Sequence, residues 1–127
     1  MTDTLFDEIE ARGLKWEPSF ILEDGVDIVA DGALLVSFTI RPATARGESG
    51  WYIGAVMSHG QGGGSRVMEL LTHWADAEGH RLSLTVDALR GQGFRKGRGA
   101  SWLRAWYKHW GFKFKPRSNW GVREMSV

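Results

Sequence analysis

Residues 51–86 read WYIGAVMSHGQGGGSRVMELLTHWADAEGHRLSLTV, and four textures follow one another along this stretch. Trp51 to Met57 is aromatic and β-branched, the composition of a strand. Ser58-His59-Gly60-Gln61-Gly62-Gly63-Gly64-Ser65 is too rich in glycine for the interior of a strand or a helix, and reads as a turn. Val67, Leu70, Leu71 and Trp74 then recur at the i, i+3, i+4, i+7 spacing of a buried helix face, and Gly79 ends that helix. Leu82, Leu84 and Val86 alternate with Ser83 and Thr85, a strand reached straight from the helix. Strand, turn, helix and strand in this order form a βαβ unit, which makes its two strands parallel.

Upstream of this unit the pattern is antiparallel. Leu34, Val36, Phe38 and Ile40 alternate with Leu35, Ser37 and Thr39, so Ala33 to Ile40 reads as a strand buried mainly on one face. Phe20 to Leu22 and Val26 to Val29 read as shorter strands on either side of the turn Glu23-Asp24-Gly25. Arg41 to Gly50, with Pro42 and Gly47, is a loop. Leu5, Phe6 and Ile9 predict a short helix over Thr4 to Arg12, with Thr2 or Asp3 as N-cap and Gly13 at its end. Downstream, Ser101 can cap a second long helix carrying Trp102, Leu103, Trp106, Tyr107 and Trp110, which stops at Gly111. Phe112 to Lys115 and Trp120 to Val127 read as closing strands around the turn Pro116 to Asn119. The class is therefore α+β: a mixed, mostly antiparallel sheet with flanking helices.

A length of 127 residues, against a typical domain of about 150, gives a single domain over 1–127. The chain has no cysteine, which removes disulfides, thiolate metal sites and a cysteine nucleophile together. No run approaches the roughly 18 apolar residues of a membrane span, and the acidic N-terminus lacks a signal-peptide pattern. The expectation is a soluble cytoplasmic protein with no membrane partner, monomeric or homodimeric. The formal net charge of +1 hides an asymmetry. Residues 1–79 carry 5 Lys/Arg against 13 Asp/Glu, while residues 80–127 carry 11 against 2. A basic half of this kind faces nucleic acid or a phosphorylated ligand, or it neutralises the acidic half across the fold.

Three consecutive glycines at a strand-to-helix junction admit two readings. One is a flexible turn. The other is an anion site, because the first N–H groups of the helix are unpaired, lie at the positive end of its dipole and are not shielded by side chains. A nucleotide triphosphate loop is disfavoured, since the last glycine is followed by Ser65-Arg66 instead of Lys and Ser/Thr. A dinucleotide fold is disfavoured by the antiparallel first half and the missing acidic residue about 20 positions on.

His59-Gly60-Gln61-Gly62-Gly63-Gly64 is similar to the pyrophosphate loop of the GNAT superfamily of N-acetyltransferases, Gln/Arg-x-x-Gly-x-Gly/Ala, with His59 at the first position. Tyr107-Lys108-His109-Trp110-Gly111-Phe112 resembles that family's second signature, Tyr-x-x-x-Gly-Phe. The resemblance spans roughly residues 33–127 by element order, and the chain looks like a short, minimal member. It implies a sheet splayed between two parallel strands, with acetyl-CoA as co-substrate in the gap and no metal. It further implies that Gln61, Gly62, Gly63, Gly64 and Ser65 hold the pyrophosphate, and that Val56, Met57 and Ser58 pair with the pantetheine arm. Tyr107 would protonate the departing thiolate, a role that suits a phenol of pKa about 10.

The fourth strand carries no acid to serve as base, and Asp87, just after Val86, is the candidate for that role. The family's Asn early in the last long helix is replaced by Ala100, with Ser101 as the nearest polar substitute. The pair of helices that usually follows the first strand is reduced or missing, which leaves room for a large acceptor. The acceptor amine expected from the resemblance belongs to a protein, a small molecule or a nucleic-acid base.

Arg90 to Gly99 interleaves basic residues with four glycines and Phe94. Arg95, Lys96 and Arg98 are candidates for contact with the 3′-phosphate of CoA or with a nucleic-acid backbone, and a solvated loop is the third reading. A nucleic-acid-binding protein that keeps the fold without catalysis is the competing function. The four histidines show no metal-ligand spacing. Trp74, Trp102, Trp106 and Trp110 lie at helical spacings and read mainly as core.

Overall fold

The computed structural model describes residues 3–46, 50–59, 62–86 and 100–124. Its elements are α1 (Asp3–Ala11), β1 (Lys15–Pro18), β2 (Val26–Ala30), β3 (Ala33–Pro42), β4 (Trp51–Ser58), α2 (Gly63–Glu78), β5 (Leu82–Thr85), α3 (Ala100–His109), β6 (Lys113–Phe114) and β7 (Trp120–Arg123), with a 3-10 turn at Ala43–Arg46. Seven strands form one sheet in the order β1-β2-β3-β4-β5-β7-β6. Every neighbouring pair is antiparallel except β4 and β5, which are parallel. This is the mixed, mostly antiparallel architecture that the alternation and the βαβ unit predict. Among the described residues no helix is long and apolar enough to cross a membrane.

The first strand corrects the sequence reading. β1 is Lys15–Pro18, and Phe20 to Leu22 is the turn that leads from it into β2. Ser19 holds that turn by accepting the N–H groups of Ile21 and Leu22 on its hydroxyl, at 3.1 and 3.0 Å. Phe20 stands 98% exposed at the tip. No helix lies between β1 and β2; the short helix precedes them.

The two faces of the sheet differ. Phe38, Val36 and Ile28 point to the face that carries the helices, where Leu5 and Ile9 of α1 and Val67, Met68, Leu70, Leu71 and Trp74 of α2 close the core. A hydrogen bond of 2.8 Å from Trp74 Nε1 to Thr4 Oγ1 ties α2 to α1. Arg123 on β7 ties α3 to α2. Its guanidinium forks onto both carboxylate oxygens of Asp76, at 2.8 and 2.9 Å, while its Nε donates to the Trp110 carbonyl at the end of α3. The opposite face holds Asp27, Ser37, Thr39, Met57, Tyr52 and Trp120, and among the described residues no helix covers it. Tyr52 and Trp120 stack there with ring centroids 5.9 Å apart.

Candidate active site

The parallel ladder between β4 and β5 is short. It pairs Trp51 with Leu82, Tyr52 with Ser83 and Ile53 with Leu84, and then stops. β4 runs on to Ser58 without β5 beside it. The stop coincides with a bulge: on the other edge of β4, Thr39 faces Ala55 and Ile40 faces Ile53, so Gly54 is an extra residue. Extra residues sharpen strand twist, and here the twist falls where the parallel ladder between β4 and β5 ends. A Cβ on Gly54 would collide with the Thr39 hydroxyl, so a side chain at the bulge would force Thr39 to move.

The end of β4 leads into the helix start. Gly62 is the N-cap of α2, with φ +80°, and offers no side chain to the helix. The first in-helix bond of the turn runs from Arg66 N–H to Gly62 O, at 3.0 Å. The N–H groups of Gly63, Gly64 and Ser65 are thus left without helical acceptors. A Cβ on Gly63 would lie 2.5 Å from the Leu35 carbonyl oxygen and 2.8 Å from Ser58 Oγ, and one on Gly64 would lie 3.3 Å from the Trp106 ring. Two of the glycines therefore serve close approach, of helix to strand and of α3 to α2, besides leaving the helix start bare.

α3 brings Tyr107 to the helix face. Its C-terminus is a Schellman cap: Phe112 N–H bonds Tyr107 O, Gly111 N–H bonds Lys108 O, and Gly111 has φ +96°. The Tyr107 and Phe112 rings meet edge to face at 5.8 Å, the apolar contact that completes such a cap. The Tyr-x-x-x-Gly-Phe pattern thus has a structural reason independent of chemistry. Trp106 packs edge to face on Tyr107 at 5.0 Å. Burial pushes the Tyr107 phenol up to about 12.

Ser101 lies inside the first turn of α3, whose first described residue is Ala100; it is not the N-cap that the sequence predicts. Its hydroxyl accepts from Arg104 at 3.3 Å. Val56, Met57 and Ser58 lie on the part of β4 that β5 does not pair. His59 follows them with its N–H bonded to the Leu35 carbonyl at 2.9 Å. Gln61, Asp87, Arg95, Lys96 and Arg98 fall outside the described residues. Among the described residues no cluster of three or more His, Asp or Glu side chains could hold a metal ion.

One arrangement was not read from the sequence. Ser37 Oγ donates to Asp27 Oδ1 at 2.6 Å and lies 2.7 Å from His59 Nε2. Asp27 and Ser37 are buried while His59 is exposed. The available signal was an acid within the apolar run of β2 and a serine on β3, but their meeting depends on strand register.

Among solved structures, the chain is similar to a GNAT family acetyltransferase from Brucella melitensis, determined in complex with acetyl-CoA. The identity is 19% and the TM-score 0.47, over 98% of this chain and 68% of that one. No family model and no curated protein matches the sequence.

Proposed function

We propose that the chain is an acyl-CoA-dependent N-acyltransferase of the GNAT type, moving acetyl from acetyl-CoA to an amine by direct attack. The observation that carries this reading is the junction of three features. The parallel ladder of β4 with β5 ends at a bulge, the last residues of β4 lead to a helix start capped only by glycine, and Trp106 beside Tyr107 packs on that start. The residues present fit a pyrophosphate, because bare N–H groups face the turn and no side chain can stand at Gly63 without moving the Leu35 backbone. Gln61 to Ser65 would hold the diphosphate, with Ser101 and His59 at its margins. The edge of Val56 to Ser58 that lies beyond the ladder with β5 would offer backbone groups to the amides of the pantetheine arm.

Tyr107 supplies the acid. With its pKa raised, it keeps its proton at neutral pH and donates to sulfur as the carbon–sulfur bond breaks. Arg95, Lys96 and Arg98 would neutralise a phosphate, either the coenzyme's or that of a nucleic-acid acceptor.

The test is a thermal shift with acetyl-CoA followed by product analysis. Ligand at 100 times its dissociation constant adds about 2.7 kcal/mol of stability, which raises the melting temperature by several degrees in a domain of this size. Labelled acetyl should then appear in one fraction of a cell extract separated into protein, nucleic acid and small molecules. No shift and no labelled product removes the reading. A shift with nucleic acid alone supports the non-catalytic alternative instead.

A further inference from the structure

Two tryptophans of α3 form a line of indole rings that starts at the glycine turn. Trp106 stands at the turn itself, where a Cβ on Gly64 would lie 3.3 Å from its ring. One helical turn earlier, Trp102 lies nearly parallel to it, with an interplanar angle of 11° and ring centroids 6.3 Å apart. Helical spacing reads both rings as core, but Trp102 is 44% exposed while Trp106 is half-buried. A single exposed aromatic is ordinary on a protein surface. What sets Trp102 apart is its place relative to the start of α2.

The two ends of α3 face different parts of the molecule. At its C-terminal end, Arg123 donates to the Trp110 carbonyl and to both Asp76 carboxylate oxygens, which ties that end to the body of α2. A helix rises 1.5 Å per residue, so Trp102 lies about 6 Å before Trp106, on the side away from Asp76. It therefore projects past the α2 start. A pantetheine arm laid along Val56 to Ser58 reaches the same start from the bulge, along the part of β4 beyond its ladder with β5. With the diphosphate on the bare N–H groups of Gly63, Gly64 and Ser65, the sulfur end of the coenzyme runs back toward the bulge and the nucleoside runs outward. One ribose separates the diphosphate from the adenine, and one indole separates the turn from Trp102, so the two spacings are of the same order.

We propose that Trp102 is the stacking platform for the adenine of the donor, and that this contact makes the nucleotide form of the donor, and not a phosphopantetheine arm lacking adenosine, the form this chain selects; this rests on the transferase reading above. A purine laid on an indole gains a large flat contact without needing a hydrogen-bond partner. Trp106 lies behind Trp102 and holds its ring in one attitude, so little side-chain freedom is lost on binding. α3 carries no acidic residue, so nothing on that helix repels the phosphates of the nucleotide.

The test is titration calorimetry on the full chain with three ligands: acetyl-CoA, acetyl-4′-phosphopantetheine, which lacks the adenosine, and adenosine 3′,5′-bisphosphate, which lacks the arm. The wild type is expected to bind acetyl-CoA at least about tenfold more tightly than acetyl-4′-phosphopantetheine. Trp102→Ala should weaken acetyl-CoA and the bisphosphate about tenfold each and leave acetyl-4′-phosphopantetheine within about twofold. Trp102→Phe keeps a smaller ring and should lose only about threefold on acetyl-CoA, which keeps the contact measurable even where the alanine variant folds poorly. The indole N–H signal that Trp102→Phe removes from the nitrogen–proton spectrum should shift in the wild type with acetyl-CoA and with the bisphosphate, and stay in place with acetyl-4′-phosphopantetheine.

Equal losses on acetyl-CoA and acetyl-4′-phosphopantetheine would mark Trp102 as a packing residue and overturn the assignment. So does a wild type that binds the two acetyl donors equally well, or an alanine variant that holds acetyl-CoA as tightly as the wild type. A chain that binds neither acetyl donor overturns the transferase reading itself.

Discussion

On the helix face, Tyr107 is enclosed by Trp106 and Phe112, and among the described residues nothing hydrogen-bonds its hydroxyl. On the opposite face, Asp27 is enclosed as well, but donors converge on it. Desolvation pushes both pKa values upward. Tyr107 ends raised, and Asp27 ends lowered because hydrogen bonds to its charged form outweigh burial. The apolar face keeps a proton in place, and the polar face keeps a negative charge in place. Burial sets how strongly a group responds, while its partners set the direction.

Adjacent residues on β3 allow the sharpest attempt to break this contrast. Phe38→Ala empties a fully buried site in the helix-side core and is expected to cost about 3–5 kcal/mol in denaturant unfolding. Tyr107→Phe removes one oxygen from the same face; kcat should fall about a hundredfold. Its melting temperature should hold, because the edge-to-face contact with Phe112 survives. Ser37→Ala leaves Asp27 buried without its closest donor and should cost about 1–3 kcal/mol, with Phe38→Ala remaining the larger loss.

The pH dependence sharpens the comparison at the smallest scale. The Asp27 contribution is present above its unfolded value of about 3.9 and is lost as pH falls through the lower folded value, so Asp27→Asn should flatten acid unfolding below pH 4. The Tyr107 contribution is present below about 10 and lost as pH rises toward 12, so Tyr107→Phe should flatten the alkaline limb. If both variants flatten the same limb, the contrast between the faces is wrong.

The βαβ unit was legible because its signals are local: a β-branched run, a glycine turn, a 3.6-residue period and an alternating strand. The Phe20-Ile21-Leu22 segment was misread because three apolar residues in a row look like a buried strand. Stacking of Phe6 on Trp16, 4.0 Å between centroids, and the Ser19 turn instead put β1 at Lys15–Pro18. The Asp27–Ser37–His59 contact was not legible because its members come from β2, β3 and the residue after β4, with Asp27 10 residues and His59 22 residues from Ser37. Only cross-strand register brings them together, and no local period encodes it. The Tyr107 pattern was legible, but its part in capping α3 required the backbone bonds of Gly111 and Phe112.

The inserted glycine on β4 also puts the two edges of one strand out of step. Toward β3 the extra residue is absorbed: Ile40 faces Ile53 and Thr39 faces Ala55, so Met57 still meets Ser37. Toward β5 it is not, since past the pair Ile53–Leu84 the ladder would have to match residues that point to opposite faces. Deleting Gly54 would leave Met57 on its side of the sheet and bring Ala55 into phase with Thr85. A single residue of length, carrying no functional group, thereby keeps two neighbouring strands from zipping together.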